Sequence, residues 1–178
     1  MGGKIVDLKS KIRTVPHWPI KGVMFRDITT LLQDPEAFKQ ACDELYNRYK
    51  NEKIDVVVGI ESRGFIFGAV LAYRLGCSFV PIRKRGKLPH KTVSHTYQKE
   101  YGPDTIEMHE DSIKKGDRVL VIDDLIATGG TVAAATKLVE TLGGIIHELA
   151  FIIELPELKG REKLKGYKIF TMVEFEGE

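Results

Sequence analysis

Residues 119–131, VLVIDDLIATGGT, contain two adjacent carboxylates followed by a loop of small residues. The unbroken apolar run over residues 119–122 predicts a strand that is covered on both faces of a parallel sheet and that ends at Asp123 and Asp124. Ligands of open α/β sheets collect beyond the carboxyl ends of strands. Two carboxylates at that place can accept hydrogen bonds from a diol or hold a divalent cation.

The small residues after this pair are Thr128, Gly129, Gly130 and Thr131. They bring backbone N–H groups and hydroxyls to a predicted helix N-terminus, where unpaired donors and the helix dipole favour a phosphate. The segment has neither a Walker lysine after the glycines nor a GxGxxG turn. A diol site beside one phosphate site predicts ribose 5-phosphate. The alternative is an ordinary strand-to-helix turn with a helix cap and a surface charge, although a cap needs only one acid.

The elements that must position these residues alternate between strands and helices. Strands are predicted over residues 54–60, 78–83, 119–122, 145–155 and 167–175, and helices over residues 35–50, 64–75 and 131–142. This order predicts a doubly wound α/β fold with a mainly parallel sheet of about five strands. A chain of 178 residues with 43% hydrophobic content is long enough for one well-buried domain and short for two, so we predict one domain over residues 1–178.

Composition and charge argue against a nucleic-acid-binding protein and against a membrane protein. The net charge is +2 and both signs are interspersed, so no global field favours nucleic acid or a membrane surface as a partner. Cys42 and Cys77 lack CxxC or Cys/His spacing and are predicted to be reduced, which indicates the cytoplasm. The longest apolar runs are strand-sized, so neither a membrane span nor a signal peptide is predicted.

Two segments, residues 13–33 and 85–108, interrupt the alternation. The second is longer than a plain connection in a compact domain should be. A flexible loop beside a phosphate site is often a lid, because chemistry that passes through a cationic sugar must exclude water. The alternative is a disordered surface loop.

Four further segments, in register with residues 119–131, resemble the type I phosphoribosyltransferases and in particular the members that use adenine. They are GVMFRDIT from Gly22, GIESRGFIFG from Gly59, PIRKRGKLP from Pro81 and YQKEYG from Tyr97. The resemblance covers nearly the whole chain. It implies the type I fold, with an N-terminal hood and base-recognition segment over residues 1–33 and a catalytic lid loop over residues 85–108. It also implies Mg²⁺-dependent transfer of the phosphoribosyl group of phosphoribosyl pyrophosphate (PRPP) to N9 of adenine, giving AMP and pyrophosphate.

The resemblance assigns most of the polar site residues to PRPP. Asp123 and Asp124 are expected to bind the ribose hydroxyls and, partly through water, Mg²⁺. Residues 61–64 resemble the pyrophosphate loop of the family, in which a non-proline peptide is often cis, with Arg63 as its cation; the alternative for Arg63 is a surface ion pair. The full set of expected PRPP contacts is Arg63, Arg83, Lys84, Lys87, Tyr101, Asp123, Asp124, Ala127, Thr128, Gly129, Gly130 and Thr131.

The densest basic cluster is formed by Arg83, Lys84, Arg85 and Lys87. From the residues alone, a solvated face and an anion site are equally good interpretations. The resemblance implies that the cluster neutralises pyrophosphate close to a two-fold interface, and therefore a homodimer. Arg83 is the candidate for reaching into the partner's site, and Lys87 for contact within its own.

Base recognition is assigned to the segment around Phe25. Phe25 is expected to stack on the purine, opposed by Leu125, while backbone groups of Met24 and Arg26 read the Watson–Crick edge. A buried phenylalanine is usually a core residue, but Pro19 and Gly22 nearby argue against a helix or strand core.

Catalysis is assigned to Glu100, Asp123 and Asp124, with Glu100 handling the mobile proton of the purine. Family members that use 6-oxopurines have an acidic residue at the position of Ala127, so Ala127 indicates adenine. Two alternatives remain. One is an enzyme for another purine, and the other is a PRPP-sensing regulator that keeps the fold without the chemistry.

Overall fold

The computed structural model describes residues 5–99 and 102–177. Within these residues it has strands β1 to β9 and helices α1 to α4. The strands are β1 (Arg13–Pro16), β2 (Met24–Asp27), β3 (Val56–Ile60), β4 (Ser78–Lys84), β5 (Thr92–Lys99), β6 (Gly102–His109), β7 (Arg118–Ile126), β8 (Ile145–Glu154) and β9 (Ile169–Glu174). The helices are α1 (Thr29–Gln33), α2 (Pro35–Tyr49), α3 (Gly64–Leu75) and α4 (Gly130–Thr141), with short 3₁₀ turns at Lys9–Lys11, Pro156–Leu158 and Gly160–Leu164.

The central sheet has the order β5-β6-β4-β3-β7-β8-β9, and β1 and β2 form a separate antiparallel ladder. Five neighbouring strands, β4, β3, β7, β8 and β9, run parallel, which confirms the predicted doubly wound sheet. The predicted total of about five strands was wrong for the whole sheet. The hairpin β5–β6 adds two antiparallel strands, because β6 pairs with the end of β4.

The core lies on both faces of the sheet, as the apolar run in β7 predicts. Val119 and Val121 face one cluster, in which α4 packs, whereas Leu120 and Ile122 face the other, in which α2 and α3 pack. All four residues are fully buried. Burying a side chain of this size stabilises the fold by about 1.5–3 kcal/mol, so β7 is fixed from both sides.

The predicted helix ends are close to the observed ones. Asp34 caps α2 by accepting hydrogen bonds from the backbone N–H groups of Glu36 and Ala37, both at 3.1 Å, and Pro35 occupies the first turn. α3 ends at Gly76, whose φ of 68° lies in the left-handed region that favours glycine.

The end of β7 differs from the prediction. The strand does not stop at the two carboxylates but runs through them to Ile126. The reason is its neighbour β8, which pairs Asp123 with Phe151 and Ile126 with Glu154. Both carboxylates are therefore held by strand geometry rather than by a loop.

Residues 85–108 also differ from the predicted loop. Most of them form the hairpin β5–β6, paired from Thr92 opposite His109 to Lys99 opposite Gly102. The strand TVSHTYQK is polar and half-exposed, so it lacks the apolar signal of a buried strand. Among the described residues, no helix is both long and apolar enough to cross a membrane.

Candidate active site

The two carboxylates of β7 lie at the centre of the site. Asp124 is 2% exposed and accepts a hydrogen bond from Nε of Arg63 at 2.5 Å. The Asp123 carboxylate accepts a hydrogen bond from the backbone N–H of Asp124 at 2.8 Å. Burial raises the pKa of Asp123 well above its ordinary value, and the negative charge of Asp124 raises it further. A cation beside this pair would offset the repulsion between the two negative charges and favour the charged form of Asp123.

The donor set fits Mg²⁺. Within the described residues, no group of three or more His, Cys, Asp or Glu side chains is arranged to enclose a metal ion. Mg²⁺ is usually held by one or two carboxylates together with waters and substrate phosphates, not by a full protein cage. Asp123 and Asp124 supply that number of carboxylates.

The loop after β7 forms a small cavity. About 100 Å³ is enclosed by the predicted phosphate-loop residues together with two residues of β7 and one of α4, which are Asp123, Leu125, Ala127, Thr128, Gly129, Gly130, Thr131 and Val132. Gly129 has a φ of 75° and immediately precedes α4. The structure therefore brings the predicted 5′-phosphate loop and the first carboxylate to one space at a helix N-terminus.

A second glycine supports this loop from the outside. Gly160 is buried, and a Cβ atom on it would overlap the carbonyl oxygen of Ala127. A Cβ atom on Gly129 would likewise overlap the carbonyl oxygen of Gly160. The backbone of residues 127–129 thus rests on the backbone of Gly160, an approach that only two glycines permit.

The loop between β3 and α3 meets the carboxylates closely. The predicted cis non-proline peptide is confirmed between Glu61 and Ser62. A Cβ atom on Gly64 would lie 2.7 Å from the carbonyl oxygen of Ile122 and 3.0 Å from Oδ1 of Asp123, so glycine is required for this approach. Arg63 pairs with the buried Asp124 while its own side chain is 43% exposed, and its role as the pyrophosphate cation stays a prediction.

Glu61 contacts three residues of the basic cluster. Its carboxylate accepts hydrogen bonds from Nζ of Lys87, from Nε of Arg83 at 3.3 Å and from the backbone N–H of Lys84 at 2.9 Å. Burial would raise the pKa of Glu61, but the Lys87 ammonium and the other donors hold that pKa below its ordinary value. Arg83 contacts its own chain here, and its reach into a partner's site stays a prediction.

The hairpin β5–β6 lies over the phosphate loop. The hydroxyls of Tyr97 and Thr131 are hydrogen-bonded at 2.8 Å. Two cavities, of about 120 and 220 Å³, lie beside Tyr97 and are lined by Lys99 and Thr131 as well. Glu100 and Tyr101, which sequence analysis placed in the site, lie outside the described residues.

The predicted base segment is β2. Phe25 is half-buried and therefore not a core residue, and it contacts the ring of Trp18 edge-on, with centroids 4.4 Å apart. The guanidinium carbon of Arg63 lies 5.6 Å from the Phe25 ring. Arg63 therefore connects the base segment to Asp124. Leu125 is half-buried on β7, and its stacking opposite Phe25 stays a prediction.

Comparisons with known proteins agree with this geometry. The phosphoribosyl transferase domain family matches residues 28–177. The adenine phosphoribosyltransferase of Desulfosudis oleivorans is 62% identical over 97% of this chain and 100% of its own length, and that of Nitrosospira multiformis is 56% identical over 97% and 99%. The chain belongs to the adenine phosphoribosyltransferase family.

Solved structures of adenine phosphoribosyltransferases have the same fold. The enzyme from Thermoanaerobacter pseudethanolicus superposes with a TM-score of 0.92 at 48% identity, covering 95% of this chain and 98% of its own. The Saccharomyces cerevisiae enzyme, in complex with D-2,5-dideoxy-2,5-imino-altritol 1,6-bisphosphate and adenine, superposes with a TM-score of 0.88 at 43% identity, covering 94% and 97%.

Three residues of the site were not predicted to take part. Tyr97 and Lys99 lie in the segment that resembles the family's lid, but only the hairpin geometry brings them to the phosphate loop. Gly160 precedes a charged run and has no motif of its own. Its contact with residues 127–129 is visible only in three dimensions.

Proposed function

We propose that this chain transfers the 5-phosphoribosyl group of PRPP to N9 of adenine, forming AMP and releasing pyrophosphate, as in purine salvage. The observation that carries the proposal is the bridge made by Arg63, which links the Phe25 ring of the base segment to the buried Asp124 of the sugar site. A purine site and a ribose phosphate site are adjacent in a chain that belongs to the adenine phosphoribosyltransferase family.

PRPP binding follows from the charges of the site. Residues 127–131 would hold the 5′-phosphate through backbone N–H groups at the N-terminus of α4. Asp123 and Asp124 would accept hydrogen bonds from the ribose hydroxyls. Tyr101, which lies outside the described residues, is a further proposed contact.

The cations that are proposed to bind pyrophosphate are paired with carboxylates of the same chain. Arg63 is paired with Asp124, and Lys87 and Arg83 with Glu61. Pyrophosphate would accept further hydrogen bonds from these three side chains, with Lys84 as a fourth cation.

Adenine recognition is proposed for β2. Adenine presents an amino donor at C6 and an acceptor at N1, which one backbone carbonyl and one N–H from Met24 and Arg26 can satisfy together. Hypoxanthine reverses both groups and would leave buried polar atoms unpaired, which can discriminate by about 10⁴ or more. Ala127 offers no side chain to N7, in agreement with this choice.

In the reaction, the C1–O bond to pyrophosphate breaks and the bonding electron pair leaves with pyrophosphate. N9 of adenine forms the new bond to C1 from the opposite face, through an oxocarbenium-like state. Glu100 is proposed to accept the displaced purine proton. Mg²⁺, held by Asp123 and Asp124 partly through water, would neutralise charge that develops on the leaving group.

We also propose a homodimer. The exposed face of α3 carries Ile66 and Tyr73, which are 37% and 87% exposed and two helical turns apart. An apolar helix face next to the pyrophosphate loop suits a second copy of the chain. The measurement is the mass of the purified protein by light scattering, with Tyr73→Glu expected to shift it towards the monomer.

A cytoplasmic location is part of the proposal. Cys42 is buried and Cys77 half-buried, and both are free thiols. Burial raises the pKa of Cys42 to about 11, so this thiol is kept protonated and unreactive. Free, protected thiols suit a reducing compartment.

The test is pyrophosphate release from PRPP and Mg²⁺ with adenine, hypoxanthine, guanine and no base. We expect turnover with adenine and little with the other purines. Comparable kcat/KM for adenine and hypoxanthine would instead indicate an enzyme for another purine. If PRPP binds but pyrophosphate is not released from it with any of the bases, the chain would be a PRPP-sensing regulator.

A further inference from the structure

We propose that Arg26 is a positioning residue for base recognition and that it acts by gripping the C-terminal segment of the chain. This segment, residues 175–177, is called the C-terminal clamp below. The inference rests on the proposed function, because it concerns the backbone atoms of β2 that would read adenine. It adds to that function a set of contacts remote from the reacting atoms.

The side chain of Arg26 turns away from the site. Arg26 is only 8% exposed, and its Nη1 donates to Oγ1 of Thr14 at 2.6 Å. Its Nη2 donates to the carbonyl oxygens of Gly177, at 2.7 Å, and Glu176, at 3.5 Å. The guanidinium carbon lies 4.5 Å from the centroid of the Phe175 ring. The guanidinium therefore contacts the clamp in two ways, through N–H groups at its edge and through its planar face against the Phe175 ring.

The clamp is itself fastened to the core sheet. The backbone N–H of Phe175 donates to the carbonyl oxygen of Glu154 at 3.0 Å, where β8 ends. The backbone N–H of Gly177 donates to Oε1 of Glu157 at 3.0 Å. Because β8 pairs with β7, the clamp gives Arg26 a fixed point in the same sheet as the two carboxylates.

The base segment needs such a fixed point. Among residues 5–99 and 102–177, β2 pairs with β1 alone, over four residues, in a ladder separate from the central sheet. A two-stranded ladder is marginally stable by itself. Side chains alternate along a strand, so Phe25 and Arg26 point to opposite faces. Phe25 faces the site, while Arg26 anchors the other face one residue away.

The chemistry of Arg26 suits positioning better than packing. Guanidinium N–H groups form a rigid planar fork, so carbonyl partners fix the direction of the side chain as well as its place. Nη1 and Nη2 make all of the hydrogen bonds to Thr14 and the clamp, and the buried Nε has no hydrogen-bond partner among the described residues. Its described hydrogen-bond partners are carbonyl and hydroxyl oxygens rather than a carboxylate. An orientation-dependent role explains this arrangement.

Loosening the clamp should affect adenine and not PRPP. The hydrogen-bonding pair that reads adenine belongs to the backbone of β2, and a shift of about 1 Å in such a pair can cost up to about 10²-fold. The proposed PRPP contacts belong to residues 61–64, 83–87 and 123–131, which the core sheet holds independently. A purely structural role would instead lower stability and leave both KM values alone.

The experiment uses purified full-length Phe175→Ala, with Phe175→Tyr as the conservative replacement that keeps an aromatic ring. The matched control is Phe170→Ala, because Phe170 lies under Arg48, 4.2 Å from its guanidinium carbon, at the opposite end of β9. The KM for adenine, the KM for PRPP, the adenine-to-hypoxanthine ratio of kcat/KM and the thermal midpoint are measured for each.

We expect Phe175→Ala to raise the KM for adenine by about tenfold or more and to lower the base ratio, with the KM for PRPP within about twofold of wild type. Phe175→Tyr should restore wild-type values, and Phe170→Ala should change only the thermal midpoint. If Phe175→Ala does not fold, Phe175→Leu repeats the test, because it keeps apolar volume and removes the ring.

Equal changes in both KM values, or no change in either, would overturn the role of the clamp. This outcome differs from failure of the proposed function, in which the wild-type protein itself would form no AMP from adenine. Arg26→Lys is the complementary variant. It keeps the charge but loses the planar fork, and the same rise in the KM for adenine is expected.

Discussion

The phosphate loop, residues 127–131, and the base segment β2 are held in different ways. The phosphate loop joins a central strand of the sheet to a packed helix, and its neighbours along the chain supply most of its geometry. β2 lies on a two-stranded ladder, and its anchor Arg26 binds carbonyl groups 150 and 151 residues away. Local sequence gives the first region its strand, loop and helix start, with added contacts from Gly160 and Tyr97, whereas the second region is anchored by residues about 150 positions away.

Because of this difference, binding of PRPP and binding of adenine depend on separate parts of the molecule. The domain match begins at residue 28, after β2, so it includes the PRPP half of the site but not the base segment. A sugar-phosphate site supported by the core can stay constant while the base segment varies. Damage to the two regions should therefore be separable, with PRPP affected in one and adenine in the other.

Asp124→Asn tests the PRPP half with the largest expected effect. The amide keeps the shape of the side chain but has no negative charge. It therefore loses the ion pair with Arg63 and a charged acceptor for the ribose hydroxyls. We expect PRPP affinity in the presence of Mg²⁺ to fall by about 1.5–3 kcal/mol, or about 10- to 150-fold, in calorimetry. Asp111→Asn, the same change on an exposed turn, is the control. Unchanged PRPP affinity would remove Asp124 from the sugar site.

Gly160→Ala tests whether support from outside the motif matters. The added methyl group would overlap the carbonyl oxygen of Ala127 and displace the phosphate loop. We expect a loss of about 1–3 kcal/mol in stability and a several-fold to tenfold rise in the KM for PRPP. Gly144→Ala is the matched control, because its methyl group would meet Val139 at 2.8 Å in the core, away from the site. A rise in the KM for PRPP in both variants would point to general destabilisation.

The sugar-phosphate site could be predicted from sequence, but several contacts that support it and the base segment could not. The apolar run of β7, the two carboxylates and the Thr-Gly-Gly-Thr loop predicted the sugar-phosphate site, because one local pattern encodes strand, loop and helix start. Arg63 was assigned to the site because residues 61–64 resemble the pyrophosphate loop of the family. The hairpin β5–β6, the support by Gly160 and the grip of Arg26 on the clamp could not be predicted. The hairpin is local, but its strands are polar and lack the apolar signal of a buried strand, whereas the other two features join residues that are far apart in the chain.

Tyr97→Phe tests the contact between the hairpin and the phosphate loop. It removes the hydrogen bond to the Thr131 hydroxyl at 2.8 Å and keeps the ring. We expect the KM for PRPP to rise by about 2- to 12-fold, which corresponds to about 0.5–1.5 kcal/mol. Tyr167→Phe loses a similar bond, to Glu140 at the surface, and should leave the KM for PRPP unchanged. If both variants behave like wild type, the hairpin does not hold the loop through this bond.

The smallest expected effect is on stability, and it concerns the ion pair between Arg13 of β1 and Asp27 of β2 in the hood. Arg13 binds Asp27 at 2.5 Å, and this hydrogen bond lowers the pKa of Asp27 from 3.8 to about 2. Because the folded pKa lies below the unfolded one, the pair contributes stability at pH values above about 4 and loses it as the pH falls towards 2. The Arg13 side chain is 56% exposed, so solvent screening limits the contribution to about 0.2–1 kcal/mol.

We therefore expect Arg13→Gln to be less stable than wild type in urea unfolding by a constant amount from pH 7 to about 4, and by a shrinking amount from there to about 2. Lys21→Gln removes the same charge from an exposed position in the hood and should show a small difference without this acid dependence. Added salt should reduce the Arg13 effect, since exposed pairs are screened. A difference in stability that persists unchanged to pH 2 would mean that packing of the Arg13 side chain, not its charge, stabilises the hood against β2. The base segment would then be positioned by the C-terminal clamp without an electrostatic contribution from Asp27.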